Sequence, residues 1–268
     1  MPELAEVLFA SKAWKKGLGQ KILKAETINR SRVYRDLDPN LLPGALQGSS
    51  MESSQTHGKK MLFRLSGDRW LGVHLGMTGW LHEESPEHPQ GKHDALILRQ
   101  NDRSLIFRDP RQFGRILYHK GKEHPAWWMN LPPEILSDAF SLEAVKGILL
   151  RRKRALIKAV LLMQEFFPGI GNWMVDEILW RARILPAERA GNLSAAKQKA
   201  LWEETRFVTK GALATVGERG GDPPDDWLFH VRWKDGGICP LSGKPLVRET
   251  VSGRTTCWCP IRQRIAKR

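Results

Sequence analysis

A chain of 268 residues with 41% hydrophobic side chains is long enough for two domains, each with its own core. Its 43 Lys and Arg against 29 Asp and Glu give a formal charge of +14, which favours nucleic acid as partner before an anionic membrane surface. Three cysteines and the lack of a long apolar run exclude a disulfide framework and a membrane-spanning helix. We therefore expect a cytoplasmic protein.

The N-terminal part begins with a helix and continues with short strands. Residues 3–17 have apolar side chains at helical spacing, and the pattern changes to alternation between residues 21 and 118. The clearest strands are predicted at 61–65, 70–75, 94–98 and 104–107. Short strands at this spacing are typical of an antiparallel sandwich or barrel.

The second half is mainly helical. We place a linker at residues 121–140, between an N-terminal domain (1–120) and a helical domain (141–226) that Ser141 opens as an N-cap. The tail, 227–268, returns to strand-like segments and is strongly basic. The predicted fold class is α+β with two domains.

The stretch 168–180 contains the most informative turn of the helical domain. Gly169 and Gly171 end an apolar helix predicted at 155–167, and Asn172 occupies the expected N-cap of the next helix. Exposed N–H groups at such a helix start can bind a phosphate. A helical corner without any ligand explains the same residues, and both interpretations stay open at this point.

Five segments, in order, resemble the formamidopyrimidine-DNA glycosylase and endonuclease VIII family of bifunctional base-excision repair enzymes. They are the start Met1-Pro2-Glu3-Leu4, the segments 74–79 (His-Leu-Gly-Met-Thr-Gly), 109–114 (Asp-Pro-Arg-Gln-Phe-Gly) and 169–186, and the tail at 231–239 with 253–256. The resemblance implies an N-terminal antiparallel β-sandwich with an N-terminal helix. It also implies a C-terminal domain with a helix-two-turn-helix motif and a β-hairpin finger.

The implied activity is removal of oxidised bases from DNA, followed by AP lyase cleavage through β or β,δ elimination. After removal of Met1, Pro2 would offer a secondary amine that forms a Schiff base with the sugar. Lys59, which follows Gly58, matches a phosphate-binding lysine of the catalytic site; a register shifted by one residue would place Lys60 there, and an exposed lysine at a strand end is the alternative. Glu3 matches the family's acid/base residue and Glu6 a second carboxylate. Without the resemblance, these acidic residues would be an ordinary first helical turn.

The resemblance also implies two sets of DNA-binding residues. Asn172, Lys59 and Arg254 would hold the phosphates that flank the lesion. The space left by an extruded nucleotide would be filled by Met77, Arg111 and Phe113, which match the formamidopyrimidine branch. For the two apolar residues, an ordinary core position is the alternative.

The tail departs from the family's four-cysteine zinc finger. Cys239 and Cys259 are present, but Ser242 and Arg262 replace the second cysteine of each pair, and Cys257 is out of register. Because a structural zinc site needs four suitable donors, we expect no metal cofactor. Our hypothesis is that Trp233 and Trp258 pack around the hairpin instead, giving a zincless finger.

The loop at 217–226 is short for a lid over a flipped 8-oxoguanine, so the substrate stays open. Oxidised purines such as 8-oxoguanine and formamidopyrimidine are favoured. The alternatives are oxidised pyrimidines, further-oxidised guanine lesions, or a damaged-DNA-binding protein without turnover. The expected partner is damaged double-stranded DNA, with no membrane partner, and the expected state is a monomer.

Overall fold

The protein is described by a computed structural model that covers residues 1–28 and 30–264. Residue 29 of the predicted strand region and residues 265–268 of the predicted tail lie outside the described residues. The chain divides into two compact units. The N-terminal unit comprises Met1–Pro2 and Glu6–Leu131, and the C-terminal unit comprises Glu3–Ala5 and the chain from Pro132 onward.

Antiparallel strands make up most of the N-terminal unit. They are β1 (Lys24–Thr27), β2 (Met51–His57), β3 (Lys60–Leu65), β4 (Arg69–His74), β5 (Trp80–Glu84), β6 (Asp94–Arg99), β7 (Ser104–Arg108) and β8 (Arg115–Lys120). Within the described residues they form two four-stranded sheets, with orders β1-β6-β7-β5 and β2-β3-β4-β8. The predicted antiparallel sandwich is confirmed.

Alternating apolar residues of both sheets share one core. On β3, Met61, Phe63 and Leu65 are buried, because successive strand residues face opposite sides of a sheet. Helix α1 (Leu4–Lys15) contributes Trp14, whose Nε1 donates to the Ile106 carbonyl at 3.3 Å. Two short helices, α2 (Leu41–Leu46) and α3 (Ala126–Met129), complete this unit.

The C-terminal unit consists of helices and one hairpin. The helices are α4 (Leu142–Arg151), α5 (Ile157–Leu161), α6 (Asn172–Arg181) and α7 (Ala195–Ala212), and α7 continues into a π-helical turn at Leu213–Gly217. The predicted N-cap is present: the Ser141 hydroxyl accepts from the Ala144 N–H at 3.2 Å. Strands β9 (Val247–Val251) and β10 (Arg254–Trp258) pair antiparallel near the end of the chain.

The helix predicted at 155–167 is wrong in length. Helix α5 ends at Leu161. In the segment that follows, the side chain of Gln164 bonds to backbone groups further along the chain. The Gln164 amide accepts from the Gly169 N–H at 3.1 Å and donates to the Ile170 carbonyl at 2.8 Å. This side chain therefore satisfies backbone groups that a longer helix would have bonded.

No helix in residues 1–28 and 30–264 is long and apolar enough to cross a membrane.

Candidate functional site

The carboxylate of Glu3 is held at the start of α6. It is 2% exposed, and its oxygens accept backbone N–H groups from Gly171 at 2.8 Å, Trp173 at 2.9 Å and Met174 at 3.3 Å. The adjacent Leu4 N–H donates to the Gly169 carbonyl at 3.0 Å. A negative side chain at a helix N-terminus is favourable because the first N–H groups lack partners within the helix. The residue after Pro2 is thus fixed by three donors.

The predicted N-cap at Asn172 is wrong, because Asn172 is the first residue of α6 and Gly171 is the cap. Gly171 has no side chain that could accept hydrogen bonds from the first N–H groups of the helix. The carboxylate of Glu3 accepts them instead. A Cβ at Gly171 would lie 2.5 Å from Glu3 Oε1, so only glycine leaves room for the carboxylate. The N–H groups of 171, 173 and 174, which the sequence offered to a phosphate, already bind Glu3.

The side chain of Asn172 contacts the hairpin. Its Nδ2 donates to the Thr255 carbonyl at 2.8 Å, next to the exposed Arg254. Arg254 follows a two-residue turn in which Ser252 and Gly253 have φ of 51° and 72°, as tight hairpin turns require. The structure therefore brings Asn172 and Arg254, two of the predicted phosphate ligands, to neighbouring positions.

A buried ionic cluster anchors the hairpin to α6. Asp176, which is fully buried, accepts from Lys158 Nζ at 2.6 Å, from Arg232 Nη2 at 2.6 Å and from the Cys257 N–H at 3.0 Å. Lys158 also donates to the Thr255 carbonyl at 3.1 Å. Burial lowers the pKa of Lys158, against the opposing effect of Asp176. Sequence reasoning missed this cluster; its only signal was the adjacent acidic pair Asp176 and Glu177 within a largely apolar helix.

The four positions of a zinc finger carry a donor set that does not fit zinc. Ser242 Oγ lies 3.3 Å from Cys259 Sγ, and Trp180 Nε1 donates to Cys239 Sγ at 3.4 Å. The Arg262 guanidinium lies 5.4 Å from the centre of the Trp180 ring. A hydroxyl and a guanidinium are not the donors of a structural zinc site. Within the described residues, no three or more His, Cys, Asp or Glu side chains form a metal-binding group.

The hypothesis that Trp233 and Trp258 replace the metal is wrong. Trp233 is 53% exposed, and Trp258 is only partly buried, with Nε1 donating to Glu249. The finger core is instead formed by Trp180, Leu228, Cys239, Leu246, Cys257 and Cys259. Burial, with help from Asp176, raises the pKa of Cys257 to about 11, so this thiol stays protonated at neutral pH.

In the N-terminal unit, the motifs at 74–79 and 109–114 form two loops locked together by Asp109. This carboxylate is 1% exposed; it accepts from Thr78 Oγ1 at 2.9 Å and from the Gly114 N–H at 2.6 Å. Gly76, at φ 65°, lies against the backbone of Phe113 and Gly114, where a Cβ would overlap it. The glycines of both motifs therefore permit a close contact between the two loops.

These loops present the three residues predicted to fill the space of a flipped nucleotide. Met77 is 41% exposed and Phe113 is 45% exposed, so neither is a core residue. The Arg111 guanidinium lies 5.1 Å from the centre of the Phe113 ring. Large apolar side chains on a rigid support, open to solvent, are suited to entering a base stack.

The other predicted catalytic residues are Lys59, Pro2 and Glu6, and all three are at least partly buried. Lys59 lies in the tight turn between β2 and β3 and is 7% exposed, whereas the next residue, Lys60, begins β3. Pro2 and Glu6 are both half-buried. The loop predicted at 217–226, short for a lid, begins later in the structure: residues 217–219 are still helical, and residues 220–226 contain no helix or strand.

Two family models match the chain: the formamidopyrimidine-DNA glycosylase N-terminal domain over residues 1–116 and the formamidopyrimidine-DNA glycosylase H2TH domain over residues 131–220. The chain belongs to the formamidopyrimidine-DNA glycosylase family. A relative of that name from Roseiflexus sp. is 34% identical over 98% of this chain and 100% of its own length. Another from Thermus thermophilus is 34% identical over 97% of both chains.

Solved formamidopyrimidine-DNA glycosylase structures have the same fold. The Lactococcus lactis enzyme, non-covalently bound to DNA that contains an AP site, aligns with a TM-score of 0.87 at 26% identity, over 98% of this chain and 100% of that one. A MutM complex with DNA that contains carbocyclic 8-oxo-G aligns with a TM-score of 0.87 at 27% identity, with the same coverage.

Proposed function

We propose that this chain is a base-excision repair DNA glycosylase with AP lyase activity, which removes oxidised bases from double-stranded DNA inside the cell. Oxidised purines are the proposed preferred substrates. Membership of the formamidopyrimidine-DNA glycosylase family supports this class of reaction. The observation that carries the residue assignment is the buried Glu3 carboxylate, held by three N–H groups directly after Pro2.

The proposed reaction begins at the amino group of Pro2, once Met1 has been removed. An α-amino group has a pKa of about 8, so a useful fraction is unprotonated at neutral pH. Its nitrogen attacks C1′ while the bond to the damaged base breaks, and the base leaves with the bonding electrons. Opening of the sugar ring gives an iminium; loss of a C2′ proton then expels the 3′ phosphate.

Glu3 is the proposed proton carrier of this sequence. It would deliver a proton to the ring oxygen and exchange protons during elimination, with Glu6 as a second carboxylate and Lys59 near the phosphate. Proton transfer requires a side chain in one fixed position. The three backbone donors supply that support, because they belong to the first turn of a helix and the Gly171 backbone beside it.

The proposed extrusion of the lesion uses the exposed loop residues Met77, Arg111 and Phe113. Extrusion costs a few kcal/mol of stacking, which side chains inserted into the duplex offset. Asn172 and Arg254 are the proposed phosphate ligands of the C-terminal unit. Their support is the Thr255 carbonyl, which accepts from both Asn172 and Lys158 and so fixes the hairpin beside α6.

The finger is proposed to keep its fold without zinc. Its support is the apolar core around Trp180 and the three hydrogen bonds accepted by the Asp176 carboxylate. Structural zinc in finger peptides contributes about 10 to 16 kcal/mol, so a finger without it needs such contacts.

Reductive trapping tests the proposed function. The protein is incubated in borohydride with duplexes that carry an abasic site, 8-oxoguanine, formamidopyrimidine or an oxidised pyrimidine. The expected result is a covalent adduct at the N-terminal peptide, formed faster on the oxidised purines and strongly reduced in Pro2→Gly. Faster trapping on the oxidised pyrimidine would reverse the proposed preference. Tight binding of all four duplexes without any adduct would indicate a binding protein without turnover.

Asn172→Ala tests the phosphate assignment separately. The expected result is weaker binding of both undamaged and abasic duplex, by about tenfold, because a backbone contact is independent of the lesion. Asn192→Ala, an exposed amide of the same unit, is the matched control. Wild-type affinity of Asn172→Ala for both duplexes would contradict the assignment.

A further inference from the structure

A cavity of about 400 Å³ lies at one end of the sheet β2-β3-β4-β8. Lys60, His74 and Arg115 occupy paired positions on β3, β4 and β8, so their side chains form a row on one face of the sheet. Arg35 adds a fourth basic group to the lining. Nothing in the proposed reaction uses this row.

The charges of the cavity are unbalanced. None of the described residues that line it is acidic. Asp36, just outside, lies 2.5 Å from Arg115 Nε and 3.9 Å from Arg35 Nε. Among the residues that the structure describes, no carboxylate forms an ion pair with Lys60. Asp36 therefore lies near two arginines, Arg115 and Arg35, and within the described residues the ammonium of Lys60 has no anionic partner.

The same groups are partly removed from water. Burial, then the neighbouring Arg115, lowers the pKa of Lys60. Burial and four nearby cations lower the pKa of His74 to about 4. A desolvated ammonium without a counter-charge is unfavourable, and a bound anion would remove that cost.

One wall of the cavity is flat and apolar. The Trp127 ring lies on Gly72 of β4, where a Cβ would meet Trp127 Cζ2 at 3.0 Å. Gly72 precedes His74 by two residues, so the ring covers the same face of the sheet as the basic row. Phe113 also lines the cavity, so the cavity lies beside the loop that presents this residue.

We propose that this cavity binds a phosphate group carried by a nucleoside, with the phosphate at Lys60, Arg115 and Arg35 and the sugar or base against Trp127. Two sources share this chemistry: a backbone phosphate of the bound duplex, or a free nucleotide. The duplex source rests on the proposed function. The free-nucleotide source does not.

The direct test is NMR of the full chain with inorganic phosphate and with deoxyadenosine 5′-monophosphate. The ring signals of His74 and the indole signal of Trp127 are expected to shift, and the His74 titration to move to higher pH, because an anion favours the imidazolium. The nucleotide should bind more tightly than inorganic phosphate. Absence of any shift at His74 or Trp127 up to tens of millimolar of either probe would exclude a free-nucleotide site.

The variants are Lys60→Met and Arg115→Met, with Lys120→Met as the matched control at the opposite end of β8. Lys60→Met is expected to weaken phosphate binding about tenfold, as loss of a charge-assisted hydrogen bond does. Its melting temperature should equal or exceed that of the wild type, because an unpaired desolvated charge is removed. Lys120→Met, exposed, should change neither quantity.

Duplex binding distinguishes the two sources. If the phosphate belongs to DNA, the slope of log Kd against log salt should fall by about 0.9 in Lys60→Met and stay unchanged in Lys120→Met. If it belongs to a free nucleotide, the slope stays unchanged and only the NMR shifts appear. Wild-type slopes together with no NMR shift would overturn the proposal. Base release by the wild-type protein, assayed in parallel, reports on the proposed function alone.

Discussion

The carboxylate of Glu3 and the backbone N–H of Trp173 form a 2.9 Å hydrogen bond across 170 positions of the chain. Helix α6 thus takes its N-terminal acceptor from the first residues of the protein, because its own cap residue is a glycine. One contact stabilises the helix and fixes the proposed proton carrier. Substitutions at either side should therefore affect stability and reaction together.

Glu3→Gln should lower the free energy of unfolding by about 1 to 3 kcal/mol. The amide retains one acceptor oxygen, but its NH₂ group would face the N–H donors of α6. Chemical denaturation measures the change. Glu87→Gln, an exposed carboxyl of the N-terminal unit, is the control and should be neutral. A Glu3→Gln protein as stable as the wild type would contradict the capping role.

Gly171→Ala should destabilise by about 1 to 3 kcal/mol and reduce trapping, because its Cβ would displace the Glu3 carboxylate. The effect is steric, since φ at Gly171 is −130°, which any residue adopts. Gly221→Ala is the control: its Cβ would meet nothing within 4 Å. Equal melting temperatures of the two variants would show that Glu3 can move without cost.

Stability should depend on pH through Glu177. Burial raises its pKa to about 7 from 4.5, although Arg181 opposes this. Between these pH values the native state retains a proton that the unfolded chain releases, so the free energy of unfolding falls as pH rises. The loss approaches about 3 kcal/mol above pH 7.

Glu177→Gln should remove this dependence, which denaturation at pH 5 and pH 8 would measure. Glu203→Gln, exposed on α7, should retain the wild-type slope. The same slope in Glu177→Gln and wild type would show that the buried carboxyl does not hold a proton at pH 5.

Asp176→Asn should cost about 3 to 5 kcal/mol and weaken binding of every duplex. The substitution leaves Lys158 and Arg232 buried without their carboxylate, and one buried charge unpaired is already expensive. The hairpin would also lose its bond at Cys257. Asp235→Asn, whose exposed pair with Arg248 measures 3.2 Å, should change stability by less than about 1 kcal/mol. Similar losses in the two variants would contradict a special role for the cluster.

Metal removal should leave the protein unchanged. Chelators are expected to alter neither the melting temperature nor the affinity for abasic duplex, because Ser242 and Arg262 interact with Cys259 and Trp180. Elemental analysis of the purified protein is the measurement. An equimolar amount of tightly held zinc would refute the zincless finger.

The sequence predicted those features that depend on local pattern. Alternation identified the strands at 61–65 and 104–107, and Ser141 marked a helix start, because both signals lie within a few residues. Exposure of Met77 and Phe113 required the family motifs, since an isolated apolar residue is more often buried.

Features that depend on residues far apart in the chain could not be predicted from the sequence. The cap of α6 lies 168 residues before Gly171, so Asn172 was assigned the role that Glu3 has. After the early end of α5, the Gln164 side chain bonds the backbone of Gly169 and Ile170, and the sequence pattern does not show these contacts. In the finger, the sequence predicts that Trp233 and Trp258 pack inside. The buried tryptophan is instead Trp180 of α6, because the helix and the hairpin share one core that neither segment shows alone.

The position of Glu3 also has a consequence for synthesis. Glu3 is synthesised long before α6, yet the N–H groups that hold its carboxylate belong to residues 171, 173 and 174. A nascent or truncated chain that stops before α6 could fold its sandwich and still leave the amino terminus unfixed. The Glu3 carboxylate therefore obtains these three hydrogen bonds only after α6 has been made.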